Sequence, residues 1–342
     1  MRKFISILLA LILNYAIGHG QSFPINSQQF FLDDRVIEVS FTTDLKKLKS
    51  EKKVPAWQSA HITMSFSDSV QLSEVIQVQP RGHFRKDNCD LSSLMLQFKN
   101  ATSPKLSRLK RLKLVGGCNP GTSSEELLLK EFMLYKIYNH LTSMSFRVRL
   151  LHVNYKDSRQ KAKPYSQYAF LLENIGELAK RNNCREMDSI EFHTESTNRQ
   201  HTTLVAIFEY MIGNTDWSVP KYHNIKLLVP NNDTLAHPYV VPYDFDYTGS
   251  VNAPYAIPIE QLGINSIRER VYRGFGRTLD ELNIALEIFK SKKEVILYTI
   301  NNFTLLRERV RKDMIDYIED FYKTIGNKRE VKSIFIDGAR KD

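Results

Sequence analysis

The stretch Gly213-Asn214-Thr215-Asp216-Trp217-Ser218-Val219-Pro220-Lys221-Tyr222-His223-Asn224-Ile225-Lys226-Leu227-Leu228-Val229, running on to Tyr243-Asp244-Phe245-Asp246, decides how the chain is read. Residues 202–212 ahead of it are apolar and compatible with a helix, and Gly213 stands where a left-handed residue stops one. A polar loop holding Asp216, His223 and Asn224 follows. Residues 225–229 read as a short apolar strand, 230–233 as a turn, and 239–243 as a second strand. A hairpin folds its second strand back along its first, so Asp244 and Asp246 are expected beside Asn224 and Asp216.

Three carboxylates and an amide in one place suit a hard cation such as magnesium, which takes oxygen ligands and leaves room for phosphate oxygens. Phosphoryl transfer uses such a set: a loop Asp orients the nucleophile, while an Asn and a further Asp hold metal against the phosphates. The alternative is that Asp and Asn only populate turns. Turn chemistry accounts well for 231–233, and less well for Asp244 and Asp246, which follow an apolar strand and flank Phe245.

Upstream, the first half reads as strand-rich with one helix. Residues 36–41, 61–66, 75–78, 94–98, 109–115, 146–153 and 168–172 are short apolar or alternating runs, which predict a twisted antiparallel sheet. Residues 46–53 form a charged linker or surface helix. Ser123-Ser124-Glu125-Glu126 is a capping box that opens a helix ahead of Leu127. Glu131 falls inside the apolar arc of that helix, between Leu127, Tyr135 and Tyr138. A buried carboxylate must be paired or it costs several kcal/mol. Lys113, in the alternating stretch 109–114, is the expected partner; the alternative is that Glu131 snorkels to the helix edge. A strand Lys held by a helix Glu is how kinases place a lysine on nucleotide phosphates. Arg81-Gly82-His83-Phe84-Arg85 is a second basic turn, whose glycine lets backbone amides approach an anion.

After Glu173 the pattern is mainly helical: 175–180, 202–212, 267–272, then a Thr278-Leu279-Asp280-Glu281 capping box opening a helix to about Lys290, and 305–322. On the helix over 267–272, Arg268 and Arg270, with Arg273 beyond, are expected to form a solvated or salt-bridged face, contact with an acceptor phosphate being the alternative. This order of elements predicts an α+β, protein-kinase-like two-lobed fold. It has a strand-rich N-lobe with one main helix over 21–174 and a mainly helical C-lobe, carrying the Asp/Asn loop and Asp-Phe-Asp, over 175–342.

At the N-terminus, Arg2 and Lys3 precede an apolar run from Phe4 to about Ile17, and Ala16, Gly18 and Gly20 supply small residues for cleavage. This reads as a secretory signal peptide over 1–20, too short for a comfortable membrane span, and no later stretch is apolar for long enough to cross a bilayer. Without Arg2 and Lys3 the 48 basic residues fall to 46 against 38 acidic ones, a net charge of +8. That excess is spread along the chain with no interleaved aromatics, which argues against a nucleic-acid groove and suits a phosphorylated ligand. Of Cys89, Cys118 and Cys184, an oxidising compartment makes one disulfide plausible. Cys89 with Cys118 is the better pair, and Cys184 reads as a spare surface thiol.

The segments Arg81-Gly82-His83-Phe84-Arg85, Leu112-Lys113-Leu114-Val115 with Cys118, Leu171-Leu172-Glu173, Ile212-Gly213-Asn214-Thr215-Asp216-Trp217, His223-Asn224 and Pro242-Tyr243-Asp244-Phe245-Asp246 resemble those of a group of exported bacterial proteins common among Bacteroidetes. That likeness covers most of the mature chain. The group in turn is similar, in short motifs only, to the spore-coat CotH-type kinases and to HipA-type kinases, through Asn214-Thr215-Asp216 and Asp244-Phe245-Asp246. The resemblance implies ATP and a divalent cation, magnesium or manganese. It implies Asp216, Lys113 and Glu131 as catalytic residues. Lys113, Arg81, Arg85 and Glu173 would bind the cofactor, and Asn224 with Asp244 or Asp246 the metal, Asp244 being nearer the strand end. Three departures stand out. Asn224 follows Asp216 by eight residues, against five in ordinary kinases, so the loop must bulge; a glycine-rich loop is missing; and Asp-Phe-Asp replaces Asp-Phe-Gly. The expected function is a secreted or periplasmic atypical kinase-like phosphotransferase acting on a protein or small-molecule acceptor. A non-catalytic kinase-like ligand-binding protein, or a metal-dependent hydrolase using Asp216, His223, Asp244 and Asp246, are the alternatives.

Overall fold

The structure, a computed structural model, describes residues 27–50, 55–66, 70–82, 89, 91, 93–187, 192–233 and 235–341. The signal-peptide expectation and Arg85 lie outside the described residues.

Alternation of buried and exposed side chains builds the first unit. Strands β1 (Ile37–Thr43), β2 (Gln58–Ser65), β3 (Gln71–Pro80), β4 (Leu94–Gln97), β5 (Arg111–Gly116), β6 (Val148–Asp157) and β7 (Tyr165–Leu172) form a closed barrel in the order β1-β2-β3-β4-β5-β7-β6. Neighbours are antiparallel, except that β1 runs parallel to β6, Ile37 facing Leu151 and Thr43 facing Asp157. Val39, Phe41, Ile62, Met64, Ile76, Val78, Leu112, Leu114, Val153 and Leu171 fill the interior.

Along β5, β7 and β6 the outer face is apolar as well. Val115, Val148, Leu150, Phe170 and Leu172 belong to a second core, with helix α4 packed on them. The short helices α1 (Ser27–Leu32), α2 (Leu45–Ser50) and α3 (Pro104–Ser107) precede α4 (Thr122–Leu141). Strands apolar on both faces are what a sheet buried between two layers requires.

This overturns the protein-kinase-like two-lobed fold expected from the sequence, with its open twisted sheet. The sheet closes on itself through β1 and β6, strands more than 100 residues apart, and closure removes the free edges. Period-two alternation is the same in an open and a closed sheet, so the strand patterns carried no sign of it.

The remainder comprises α5 (Ile175–Arg181), β8 (Cys184–Met187), α6 (Arg199–Ile212), β9 (Ile225–Pro230), β10 (Tyr239–Pro242), α7 (Leu279–Asn301), α8 (Glu308–Gly326) and α9 (Lys328–Lys332). Strand β8 pairs with β9 and β9 with β10, all antiparallel. Among the described strands only β8, four residues in a polar stretch, had no sequence signal. The Thr278 capping box forms: Thr278 Oγ1 accepts the Glu281 N–H at 3.2 Å and Glu281 Oε2 accepts the Thr278 N–H at 2.9 Å. The Ser123-Ser124 box does not. Helix α4 starts behind Gly121 without a side-chain cap, while Ser124 Oγ accepts the Asn119 N–H at 3.1 Å. Residues 267–272, expected to be helical, are irregular. Their arginines reach outward to Asp313 at 2.9 Å (Arg268) and to Asp320 at 2.9 Å (Arg270), which answers the phosphate alternative with salt bridges.

Helix α6 is buried at every position from Thr202 to Ile212 and stops at Gly213, whose φ of 68° is left-handed. A methyl group there would collide with the Tyr317 hydroxyl and stand 3.3 Å from the Gly249 backbone. Gly263 has the same φ of 68° with nothing within 4 Å. Gly263→Ala should therefore cost only the backbone penalty, roughly 1–2 kcal/mol, and Gly213→Ala about 2 kcal/mol more through overpacking. Urea denaturation of the two variants checks this, and equal costs would mean that Tyr317 yields freely.

Candidate active site

The exit of α6 builds the site. Asn214 donates its N–H to the Glu209 carbonyl at 2.8 Å, and its Oδ1 accepts the Asp216 N–H at 2.8 Å. Both Asp216 carboxylate oxygens are then engaged: His223 Nε2 lies 2.8 Å from Oδ1, and Asn224 Nδ2 donates to Oδ2 at 3.0 Å and to the Asp216 carbonyl at 2.8 Å. Ser218 and His223 exchange backbone hydrogen bonds at 3.0 and 2.9 Å, so the intervening residues loop out as a tight hairpin. That hairpin is the bulge demanded by the long spacing between Asp216 and Asn224. Arg273 fastens the loop by donating to the Thr215 carbonyl and, at 2.9 Å, to the Trp217 carbonyl.

The β9–β10 hairpin returns to this loop as expected: Tyr243 donates its N–H to the Asn224 carbonyl at 3.0 Å. Asp244 then turns left-handed with φ 68°, as do Tyr222 at 50° and Asn224 at 52°. Such residues cost on the order of 1–3 kcal/mol each and gather where a site imposes them. The turn points the Asp244 N–H at the Tyr135 hydroxyl, 2.8 Å away, and buries Phe245 between Tyr135 and Phe208, ring centroids 4.6 and 5.4 Å apart. Asp246 accepts the Tyr255 hydroxyl at 2.9 Å and lines a small cavity with Glu131, beside the Gly116–Cys118 turn. The cavity measures about 10 Å³, room for about one water.

Lys113 leaves the outer face of β5 and lies 4.9 Å from the centroid of the Tyr243 ring. Burial pulls its ammonium down to about 8, Arg81 and Lys226 push the same way, and Asp244 and Glu186 oppose them. Lys226 is itself tied to Glu186 at 2.9 Å. Lys113 makes no ion pair with Glu131. The expected Lys113–Glu131 pair is therefore corrected: Glu131 is 1% exposed and faces the Asp246 cavity, because the outward side of β5 at Lys113 meets the Tyr243 ring and the charge of Asp244 instead.

Glu173, expected among the cofactor-binding residues, directly follows β7. It is 3% exposed, receives Arg181 through two hydrogen bonds of 3.0 Å, and accepts the Arg147 N–H at 3.0 Å. It closes the seam between β7 and α5. Arg81 contributes its charge beside Lys113, and its N–H is bound to the Ser93 carbonyl at 2.8 Å. Cys89 and Cys118 form the expected disulfide, Cα atoms 4.6 Å apart. Cys184 is buried rather than a surface thiol, and its Sγ donates to the Asn182 carbonyl at 3.3 Å.

Among the described residues, no group of three or more His, Cys, Asp or Glu is arranged to hold a metal. A magnesium-type site with substrate phosphates needs less, one or two carboxylates beside retained waters. Asn224 commits its Nδ2 to Asp216, which turns Oδ1 away as a hard oxygen donor, and the Tyr243 hydrogen bond sets Asp244 near it. This pair suits a divalent cation that also binds phosphate, and Asp246 lines the small cavity shared with Glu131. Sequence reading passed over Glu209, Tyr135 and the clamping role of Arg273. A lone carboxylate in the apolar run 202–212 was the available signal for the first. Comparison with protein-family models finds no match for the chain, and comparison with curated proteins finds none either.

Two outcomes follow. From about 8 to its ordinary value of 10.5 the folded Lys113 has lost a proton that the unfolded chain keeps, so stability rises with pH across that window, by at most about 1.4 kcal/mol per unit. Below the window the burial penalty is fully present. Lys113→Met should abolish the rise and exceed wild type in urea stability at pH 7; a less stable variant would refute the dominance of burial. Arg181→Met leaves Glu173 buried and unpaired by a side chain, and should cost about 3–5 kcal/mol in the same assay. A loss below about 1 kcal/mol would show that Glu173 is free for another role.

Proposed function

We propose that the chain is an exported phosphotransferase that moves a phosphoryl group from a nucleoside triphosphate, bound with magnesium or manganese, to a hydroxyl of a protein or small-molecule acceptor. The observation that carries this reading is the left-handed turn at Asp244. It sets a carboxylate against half-buried Lys113 while the preceding residue is hydrogen-bonded to Asn224, whose amide holds Asp216. Cation, metal-ligand oxygens and base thus meet along one continuous chain of contacts, the parts that phosphoryl transfer needs.

In this reading Asp244 and Asn224 Oδ1 hold the divalent cation, which shields phosphate charge when bound. Lys113 and Arg81 neutralise phosphate oxygens, and binding an anion returns Lys113 to its charged form. Asp216 accepts the acceptor's hydroxyl proton as that oxygen bonds to the terminal phosphorus and the bond to the leaving diphosphate breaks. The net positive charge of the described and flanking chain falls within residues 27–174, the rest of the mature chain being close to neutral, so the barrel side favours an anionic donor. The Cys89–Cys118 disulfide agrees with an oxidising destination. A second reading, a phosphoester hydrolase, is favoured by one feature: half-exposed His223 paired to Asp216 at 2.8 Å, an acid–base couple that suits activation of water.

Calorimetry of ATP binding, with and without magnesium or manganese, tests the proposal on wild type and Asp244→Ala. Metal-dependent binding that weakens at least about tenfold in the variant is the expected result. Asp216→Asn should still bind but lose about 10²- to 10⁴-fold in phosphate transfer. No binding with either metal overturns the phosphotransferase, and His223-dependent cleavage of simple phosphomonoesters without ATP would establish the hydrolase.

A further inference from the structure

The positive charge of the barrel half is gathered unevenly. Residues 27–174 carry 23 Lys and Arg against 14 Asp and Glu, and within them 42–50 and 156–164 hold seven against two, a net charge of +5. The two segments are neighbours in space, because β1 and β6 run parallel and end together, Thr43 beside Asp157. Ser158 donates its N–H to the Thr43 carbonyl at 2.8 Å, which ties the β6–β7 turn to the entry of α2.

Both acids of this patch are used to build it. Asp157 is 7% exposed; its Oδ1 accepts the Leu45 N–H at 3.1 Å and its Oδ2 the Lys161 N–H at 2.8 Å. Asp44 accepts the Lys47 N–H at 2.9 Å and lies 2.6 Å from the Arg159 guanidinium. Gln160 stands left-handed with φ 55° and donates its N–H to the Asp157 carbonyl at 3.0 Å. Lys46, Lys49, Lys156, Lys161 and Lys163 are exposed around this frame. The turn shapes a cavity of about 580 Å³, lined by Lys156, Lys161 and Lys163 with Thr42, Ser158 and Gln160. That volume lies in the range of roughly 300–1,000 Å³ usual for ligand sites. A merely solvated basic face needs neither a locked backbone nor a concavity.

The composition of the patch narrows its partner. Residues 42–50 and 156–164 expose no large apolar side chain, so nothing there would anchor in a lipid surface. None of them is aromatic, so no ring is present to stack a nucleobase. The cavity lysines are point charges on mobile stems and accept anions without the planar fork that arginine imposes. Thr42, Ser158 and Gln160 add neutral donors and acceptors of the kind that pair with sugar hydroxyls.

We propose that the β6–β7 turn and α2 form a binding site for an acidic polysaccharide. Lysines meet its sulfate, phosphate or carboxylate groups, and Thr42, Ser158 and Gln160 meet its hydroxyls.

The test is calorimetry of a heparin hexasaccharide, a sulfated sugar chain, on the full mature chain at about 150 mM salt, without nucleotide or metal. Saturable one-to-one binding that weakens as salt rises is the expected result. Lys161→Gln with Lys163→Gln should weaken it at least about tenfold and make the log–log salt dependence shallower by roughly two. Lys328→Gln with Lys332→Gln removes the same charge from exposed positions of α9 and should change affinity less than about twofold. Asp157→Asn separates a built site from bare charge. It deletes a negative charge but gives up a carboxylate oxygen that holds the turn, and binding should weaken; tighter binding would overturn the proposal. If Asp157→Asn does not fold, the two lysine pairs decide. No binding at this salt, or equal losses from both lysine pairs, would overturn it. So would an oligodeoxynucleotide or phosphatidylglycerol vesicles that bind as tightly as the hexasaccharide and through the same two lysines. Because no nucleotide is added, these outcomes are independent of the ATP calorimetry.

Discussion

Seven parallel register pairs join β1 to β6 and turn a sheet into a barrel. Parallel pairing needs a long crossover between its strands, and here the crossover is β2 to β5 together with α4. Once closed, the barrel can bury only one face of its strands. The outer faces of β5, β7 and β6 remain apolar and must be covered, and α4 covers them. That docking sets Tyr135 and Glu131 at the margin of the barrel, where the Asp244 turn reaches them.

The site is consequently a seam between two cores rather than a pocket inside either. On the barrel side Lys113 sits among Leu112 and Leu114, which point the other way into the barrel. On the other side three left-handed residues, at 222, 224 and 244, hold an acid, an amide and a carboxylate in place. Their strain is balanced by local hydrogen bonds: Tyr135 to the Asp244 N–H, Asn224 to Asp216, and Arg273 to two loop carbonyls. Charges in the seam are few and partly desolvated, so each shifts its neighbours. Lys113 is eased toward neutrality, Glu209 is held neutral, and both effects come from burial before any specific partner.

Several carboxylates show where local reading stops. Glu131 was correctly placed on the buried arc of its helix, yet burial does not name a partner; the strand that faces it was decided by the barrel's closure. Glu173 follows an apolar strand and resembles a ligand-bearing position, but Arg181, eight residues on at the last position of α5, takes both its oxygens. Asp244 and Asp246 are two residues apart and would point to one side of a continuing strand. A left-handed turn at Asp244 sends them to different neighbours. Glu209 stands as the one carboxylate in an apolar run, which signals burial but not which groups it faces.

What the sequence determined by itself is local. Period-two alternation places the barrel strands, Gly213 ends α6, Thr278 and Glu281 open α7, and the turn after 229 returns Tyr243 to Asn224. Each depends on interactions within a few residues, or across a short hairpin, so the pattern and the physics coincide. Barrel closure, and the surroundings of Lys113, Glu131, Glu173, Asp244 and Asp246, were decided only in three dimensions. These depend on which surfaces, distant along the chain, exclude water together, and burial of that kind is a property of the assembled fold and not of any single stretch.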